Sequence, residues 1–480
     1  MTDEPERTPL RAPAAPDPAG TAPATPGVPG RVGSAGAGSA DGARSADGAR
    51  SAGAGLGPAV RVGGGIAGIV VAAVCMRTPL TAVGPVLERI GTDTGLSKTL
   101  LGLLSALPLL AFSAVSPLVH GSTRRIGIER TVVWALVALA TGVALRSVPG
   151  LPPLWAGTAL IGAGIAVCNV LIPVVVRRDH PARVALMTGL YSAAMGSAAA
   201  VASGVSLPLS HLPGGWRWSL GIWAVPAVVA AAVWTRRHPP PASAAPAGGP
   251  RPAPAGPDPA PAASRSTGRP AAPAATGPFA ASAGTGAGRT GQGPVWRSPV
   301  AWQLTAVMGL QSTNFYVMVA WLPSIATSRG ASGTLGGWYL FAFQIVGILS
   351  GLVLPAVLHR AGTPATGVVV SAPMVLACAG IIAAPGVLPL WVVLAGMSSG
   401  AALVYALTRI SLTARSSAEA TRLSGMAQSI GYLLAAGGPV AAGWLRDHTG
   451  SWTPALIMVA TLATVQATAA VVTVGPRDRR

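Results

Sequence analysis

The sequence predicts an all-α integral membrane protein whose twelve transmembrane helices form two six-helix bundles. Of its 480 residues, 51% are hydrophobic and only 10% are charged, against about 25% charged in an ordinary globular domain. Apolar stretches of about 20 residues, the length a helix needs to cross the hydrocarbon core, recur along the chain. Nearly all basic residues lie in the tails or between those stretches. These three observations together favour a chain that is surrounded mostly by lipid.

Six apolar stretches predict the first bundle, residues 62–235. They lie at 62–87, 96–119, 131–148, 152–176, 184–208 and 217–235. Six more predict the second bundle, residues 299–474. They lie at 299–326, 335–358, 365–384, 387–410, 423–445 and 452–474. The two bundles have nearly equal lengths, which favours a structural repeat with a site between the halves.

The segments outside the bundles have a different composition. Residues 1–61 and 236–298 are rich in Ala, Gly and Pro and show no hydrophobic periodicity. Such segments cannot bury enough apolar surface to offset the entropy of ordering. We therefore expect a disordered cytoplasmic tail at 1–61 and a disordered cytoplasmic linker at 236–298, with residues 475–480 as a cytoplasmic C-terminus.

The basic loop residues predict the orientation, because cytoplasmic loops are enriched in Arg and Lys. One set of short loops and helix ends holds Arg124, Arg125, Arg130, Arg177, Arg178, Arg183, Arg409, Arg415 and Arg422. The opposite set holds only Arg89, Lys98, Arg146, Arg217, Arg329 and Arg446. This asymmetry predicts a bacterial plasma-membrane protein with both termini in the cytoplasm. The net charge of +19 therefore reflects topology, and no nucleic-acid partner is expected.

Arg77 is the one basic residue predicted to lie deep inside a span. At 1.5 Å per residue it is about 15 Å or more from either end of its stretch, too deep for easy snorkelling. The acidic residues lie in tails, loops and helix ends, so no carboxylate is placed to pair with it. A guanidinium offers planar, permanently charged donors, which suits an anionic or strongly polarised ligand. The alternative is a packing arginine bonded to backbone carbonyls at the Pro79 kink.

Other polar residues at membrane depth are candidate ligand contacts, because burying polar groups in hydrocarbon is costly. Thr81 lies one turn from Arg77 on the same helix face. Asn314 has the same offset from the start of its bundle as Arg77. The predicted substrate-binding set is Arg77, Thr81, Asn169, Tyr191, Gln311, Asn314, Gln344 and Gln428. Each of these residues singly could equally be a hydrogen-bonding contact between helices.

Several classes of chemistry lack the residues that they require. The only lysine, Lys98, follows Ser97, so a Gly-Lys-Ser/Thr phosphate loop is absent. Paired carboxylates, a metal-ligand cluster and a nucleophile–base pair are missing from the apolar stretches. We therefore expect no enzyme activity, no cofactor and no metal. The expected partners are a small-molecule substrate and the lipid bilayer, and the chain is expected to work as a monomer.

A series of segments resembles the cyanate and 2-nitroimidazole transporter family of the major facilitator superfamily. In the first bundle these are Arg77-Thr78-Pro79-Leu80-Thr81-Ala82-Val83-Gly84-Pro85, Leu107-Pro108, Asn169-Val170-Leu171-Ile172-Pro173, Met187-Thr188-Gly189-Leu190-Tyr191 and Gly215-Trp216-Arg217-Trp218. In the second they are Trp321-Leu322-Pro323-Ser324-Ile325, Phe343-Gln344, Gly347-Ile348, Gln428, Gly431-Tyr432-Leu433 and Gly438-Pro439. The resemblance covers about residues 66–474. One departure is Arg124, which stands where the wider superfamily has aspartate.

This resemblance implies a major facilitator fold that carries a small polar or anionic nitrogenous solute by alternating access. The transport is secondary-active or facilitative, in either direction. Two alternatives remain open: a multidrug or metabolite efflux pump of the same fold, and a membrane sensor or scaffold with a transporter-like body. Arg77 disfavours hydrophobic cations as substrates. From its depth and charge, we expect Arg77 to anchor the anion.

Overall fold

The computed structural model describes residues 58–236, 295–361, 363–414 and 416–472. The predictions for the tail before residue 58, for most of the 236–298 linker and for the 475–480 C-terminus lie outside the described residues. Within the described ranges the chain is helical and contains no β-strand. This confirms the predicted all-α class.

The α-helices are numbered α1 to α15 along the chain. They are α1 Pro58–Thr81, α2 Leu87–Thr94, α3 Lys98–Val115, α4 Val119–Ile126, α5 Ile128–Arg146, α6 Leu151–Asp179, α7 Val184–Leu209, α8 Gly215–Gly221, α9 Ala224–Thr235, α10 Pro299–Ser328, α11 Gly333–Ala361, α12 Thr363–Ala383, α13 Leu388–Thr413, α14 Ser417–Thr449 and α15 Thr453–Val472. Helices α1 and α2 form one broken span, as do α8 and α9. Helix α4 is a short extension after α3, so the spans number twelve.

Two of the twelve spans are more polar than the rest. Among the described residues, ten spans are long and apolar enough to cross a membrane by composition alone. The two that are not are α10 and α14, which have 30 and 33 residues and are therefore long enough. These helices carry the predicted amides Gln311, Asn314 and Gln428. The spans least suited to lipid are thus the ones with most of the candidate amide groups.

Three local features depart from the predicted spans. The first stretch is broken because Pro79 lies inside α1 and a short 3₁₀ turn, Gly84–Val86, separates it from α2. The sixth stretch is broken between α8 and α9. The predicted loop after the second stretch is partly helical as α4, and it turns into α5 at Gly127, whose φ of +84° favours glycine. These differences leave the number of crossings unchanged.

The two halves, residues 58–236 and 295–472, meet along two extensive helix contacts. Helix α3 of the first half packs along α14 of the second, and α7 packs along α11. Because the second, fifth, eighth and eleventh spans form these contacts, the seam has the two-fold arrangement expected of a repeat. The 3₁₀ turn at Gly84–Val86 also contacts α10 and α11. The space between the halves is therefore bordered by helices from both.

The α3–α14 contact is tightest where α3 begins and α14 ends, at the predicted outer end of the molecule. Asp447 accepts hydrogen bonds from the backbone N–H groups of Lys98 and Thr99, at 3.0 and 2.8 Å, and from the Thr99 hydroxyl at 2.7 Å. The carboxylate thus satisfies the free N–H groups at the start of a helix in the other half. Gly102 and Gly443 let the two backbones touch, since a Cβ on either would collide with the opposing backbone.

Candidate functional site: a pocket between the two halves

A pocket around Arg77 lies between the two halves of the molecule. In this structure the pocket is narrow, with room for only one or two water-sized groups. The lining residues are Met76, Arg77, Leu80, Pro108, Leu109, Phe112, Ile165, Asn169 and Met195 from the first half, and Tyr316 and Tyr432 from the second. Six spans therefore contribute to the wall, and none of the lining residues is acidic. A pocket of this composition suits a small solute with negative or strongly polar character.

Arg77 is partly exposed to this pocket and stands among aromatic rings. Its guanidinium carbon lies 4.9 Å from the centroid of the Phe315 ring, a distance typical of a cation–π contact. Tyr316, the next residue of α10, lines the same pocket as Arg77. Arg77 belongs to the first half, whereas both aromatic residues belong to α10 of the second. The cation is therefore held by the facing half of the molecule.

Asn169 on α6 supplies an acceptor in the same wall. Its side chain is 4% exposed, and its Oδ1 atom has no hydrogen-bond partner among the described residues. Leaving a buried amide oxygen unpaired is costly, so such an atom is a candidate for a ligand contact. Arg77 can only donate hydrogen bonds. The pocket therefore combines a permanent cationic donor with a free neutral acceptor.

Aromatic side chains of α3, α10 and α14 form another part of the pocket wall. Phe112 and Tyr432 meet edge to face at 5.2 Å between centroids, and Tyr316 and Tyr432 at 6.5 Å. Phe315 stacks on Phe343 at 6.1 Å. Rings in these arrangements hold one another in place through their quadrupoles. Aromatic side chains therefore make up more of the pocket wall than amide side chains do.

Thr81 and Gln344, both predicted as ligand contacts, instead connect helices. The Thr81 hydroxyl donates to the Ala199 carbonyl oxygen at 2.9 Å. Gln344 Nε2 lies 3.2 Å from the same oxygen and 2.9 Å from Ser203 Oγ. Spans one and eight thereby bind one carbonyl group of α7. In this structure neither side chain lines the Arg77 pocket.

The four remaining predicted residues lie close to the pocket but do not line it. Gln311 donates to Ser312 Oγ at 2.7 Å, and Gln428 donates to Ser424 Oγ at 2.8 Å. Tyr191 and Asn314 are buried, and their side-chain oxygens have no partner among the described residues. Tyr191 and Gln428 lie one helical turn before the lining residues Met195 and Tyr432, and Gln311 lies one turn before Phe315. Tyr191 and Gln428 thus lie one turn away from residues that line the pocket, and their role as ligand contacts stays a prediction.

Sequence reasoning missed the aromatic and methionine part of the wall. Phe112, Tyr316, Met76 and Met195 resemble ordinary packing residues in an apolar stretch. In the sequence analysis Tyr432 belongs only to the Gly431-Tyr432-Leu433 segment and has no predicted role in the site. The available signal was position: each of Met195, Tyr316 and Tyr432 lies four or five residues after a predicted polar candidate. Proximity on a helix face could have placed them near the site.

Arg146 differs most from its prediction. It was assigned to a loop at the outer end, but the structure buries it at the end of α5 with 2% exposure. Its Nη1 donates to the Pro79 carbonyl oxygen at 2.9 Å. The backbone carbonyl at the Pro79 kink is therefore bound by Arg146, whereas the sequence suggested Arg77 as the arginine for that role. Arg77 is left facing the pocket.

Twelve membrane-spanning helices in two halves, with a polar pocket between them, define a multi-pass membrane protein of the transporter class. The family model of the Major Facilitator Superfamily matches residues 69–439. The chain belongs to this superfamily, and within it to the cyanate and 2-nitroimidazole transporter family. It is a transporter and not an enzyme.

Two curated relatives and one solved structure illustrate the similarity. The chain is 35% identical over 411 residues to the 2-nitroimidazole transporter of Escherichia coli K12, covering 84% of this chain and 93% of that protein. It is 25% identical over 380 residues to the cyanate transport protein of the same organism, covering 78% and 88%. A bacterial homologue of the lysosomal transporter Spinster, solved facing inward, superimposes with a TM-score of 0.65 at 12% identity. That alignment covers 87% of this chain and 97% of the solved chain, and it supports the fold alone.

Proposed function

We propose that this protein carries a small polar or anionic nitrogenous solute, cyanate-like or nitroimidazole-like, across the bacterial plasma membrane. Transport occurs by alternating access, as the two halves rock about the Arg77 pocket. The protein works as a monomer with both termini in the cytoplasm, in agreement with the arginine distribution.

The observation that carries the proposal is that Arg77 lies in a pocket lined by both halves. A site bordered by two rigid bodies opens to one side or the other when the bodies rock. Arg77 on α1 contacts Phe315 on α10, so its surroundings change whenever the halves move apart. A bound solute that bridges Arg77 and the second half would favour closure around itself.

The chemistry of the wall supports a small planar solute. Arg77 presents coplanar donors to oxygen or nitrogen atoms with negative character. Asn169 Oδ1 can accept a hydrogen bond from a solute N–H group. The rings of Phe112, Tyr316 and Tyr432 offer flat apolar surfaces. The relatives are named as transporters of 2-nitroimidazole and of cyanate, and both compounds fall within this range of solutes.

The other predicted residues do not line the pocket in this structure, and the proposal gives them a role in other states of the transport cycle. Rocking of the halves would move α10 and α14 relative to α1. Residues one turn from the present wall could then reach the solute. In this proposal they shape the pocket in other states of the cycle: Thr81, Tyr191, Gln311, Asn314, Gln344 and Gln428.

The test uses 2-nitroimidazole and cyanate as probes, with flux measured in vesicles and thermal shift measured on purified protein. Arg77→Ala should abolish uptake or efflux and remove the probe-induced thermal shift, while the protein still inserts. Arg77→Lys keeps the charge but loses the planar fork, so it should restore binding only in part. Arg446→Ala is the matched control, because Arg446 lies 5.7 Å from the Trp452 ring at a helix end outside the pocket.

If Arg77→Ala binds the probes with wild-type affinity, Arg77 is only a packing residue. The main argument for a polar or anionic solute then fails. Transport of hydrophobic cations by the wild-type protein would favour the efflux-pump alternative. Absence of any solute flux, with properly inserted protein, would favour the sensor alternative.

A further inference from the structure

Arg146 forms a second buried cationic group, separate from the solute pocket. One of its N–H groups donates to the Pro79 carbonyl oxygen, but Nε and Nη2 have no hydrogen-bond partner among the described residues. With 2% exposure the side chain cannot reach bulk water. Most of its hydrogen-bonding capacity is therefore unused by the protein.

A small cavity, with room for about one water-sized group, adjoins this guanidinium. Its lining residues are Pro79, Leu80, Val83, Ile90, Leu104, Ser105, Pro108, Arg146, Leu154, Thr158 and Leu220. Ser105 Oγ is also buried without a partner among the described residues. The Thr158 hydroxyl is already used, because it donates to the Leu154 carbonyl oxygen at 2.7 Å. None of the lining residues is acidic, so the free groups are a cation and a hydroxyl.

An unpaired charge buried in a low-dielectric interior costs several kcal/mol unless a counter-charge or hydrogen bonds compensate. Among the described residues the wall supplies donors but no carboxylate, so a bound anion would supply the missing counter-charge. We propose that this cavity binds a small monoatomic anion of the chloride class, held by Arg146 Nε and Nη2 and by the Ser105 hydroxyl.

The position of the cavity makes this anion a resident of the first half rather than a transported solute. Every lining residue belongs to the first half, from Pro79 to Leu220. Solute in an alternating-access cycle passes between the halves, whereas this space lies within one of them. The cavity and the solute pocket share Leu80 and Pro108 as wall residues. The anion would thus neutralise Arg146 beside the break in the first span, one layer behind the solute pocket.

The experiment measures the thermal stability of the purified full-length chain in sodium chloride, in sodium bromide and in sodium gluconate at equal ionic strength. Gluconate is too large for the site, so stability should rise with chloride or bromide and saturate. Ser105→Ala keeps Arg146 and removes one donor, so the half-saturating chloride concentration should rise about tenfold or more. Ser113→Ala on the same helix is the matched control, because the Ser113 hydroxyl is bonded to the Leu109 carbonyl oxygen at 3.2 Å.

Arg146→Gln should lose the chloride response altogether, while Arg77→Ala should keep it. The proposal is overturned if wild-type stability is the same in chloride and gluconate. It is also overturned if the response disappears in Arg77→Ala and persists in Arg146→Gln, because the ion would then occupy the solute pocket. If Arg146→Gln does not fold, an unchanged half-saturating concentration in Ser105→Ala still refutes the site.

Discussion

Two arginines of the first half have contrasting surroundings, which favours different roles for them. Arg77 is partly exposed and lies against an aromatic ring of the other half. Arg146 is fully buried and bonded to a carbonyl oxygen of its own half. A cation that faces across the seam can respond to a solute, whereas one bonded within a single half can only stabilise that half. This contrast supports the proposal that the solute binds at Arg77.

The Phe315 ring should fix the orientation of the Arg77 guanidinium. Phe315→Leu removes the cation–π contact, which is worth roughly 0.5–2 kcal/mol. Solute affinity should fall about two- to thirtyfold, with little loss of inserted protein. Titration of 2-nitroimidazole by thermal shift measures this change. Phe341→Leu is the control, because the Phe341 ring packs on Trp338 at 5.3 Å and does not line the pocket; equal losses in both variants would contradict a specific role for Phe315.

Asp447 controls contact between the halves at the predicted outer end. Asp447→Ala removes three accepted hydrogen bonds from the start of α3, and loss of a helix cap costs about 1 kcal/mol. The closed arrangement of this end should become roughly fivefold less favoured. Electron–electron distance measurements between spin labels at Thr92 and Thr449 would report the change. His448→Ala, at the same helix end, should leave the distances unaltered.

The pH dependence of this contact follows from the pKa of Asp447. Partial burial alone would raise that pKa, but the hydrogen bonds from Thr99 and Lys98 outweigh it and hold the pKa below its usual value. A carboxyl group with a lowered pKa stabilises its contact above the ordinary value of about 4, and the stabilisation is lost as pH falls through the lowered pKa. The label distances should therefore be constant between about pH 5 and 8. A change near pH 6 would show that another group controls closure.

At the scale of helices, the outer end of the α3–α14 contact depends on glycines that let the two backbones approach closely. A Cβ on Gly102 would collide with the Pro439 carbonyl oxygen. Gly102→Ala should thus push the two helices apart, widen the label distances at the outer end and lower the melting temperature. Gly437→Ala on α14 is the control, because a Cβ there meets nothing within 4 Å. If the label distances in Gly102→Ala equal those of the wild type, α3 and α14 accommodate the added methyl group without moving apart.

The helices could be predicted from sequence because apolarity over about 20 residues is a local property. The breaks at Gly84–Val86 and between α8 and α9 were missed because each leaves its stretch apolar throughout. Arg77 and Asn169 could be placed in the site because charge and amide groups stand out against hydrocarbon. Tyr316 and Tyr432 could not, because whether a ring faces a cavity depends on how α10 and α14 are rotated against α1 and α3. That rotation is set by contacts far apart in the chain.

At the scale of the whole molecule, none of the described acidic residues lines the pocket, which bears on how transport is driven. Glu88 forms an exposed ion pair with Lys98 at 3.2 Å, and the partly buried Asp179 forms an ion pair with Arg178 at 2.6 Å. Exposed pairs of this kind contribute little. We expect Glu88→Gln and Asp179→Asn each to retain at least about half of wild-type flux, any pH dependence following the ionisation of the solute itself. Complete loss of flux in either variant, at normal expression, would assign that carboxylate to proton coupling.

The polarity of α10 and α14 has a consequence for biogenesis. A nascent helix partitions into the bilayer by its own apolarity, and these are the two described spans whose composition is insufficient for that. They pack along each other in the finished molecule, yet α11, α12 and α13 are synthesised between them. We therefore expect α10 to stay in contact with earlier helices, or with the insertion machinery, until α14 has been synthesised. The second half is expected to assemble as a unit at the end of synthesis, and a chain that stops before α14 should leave α10 outside a stable membrane position.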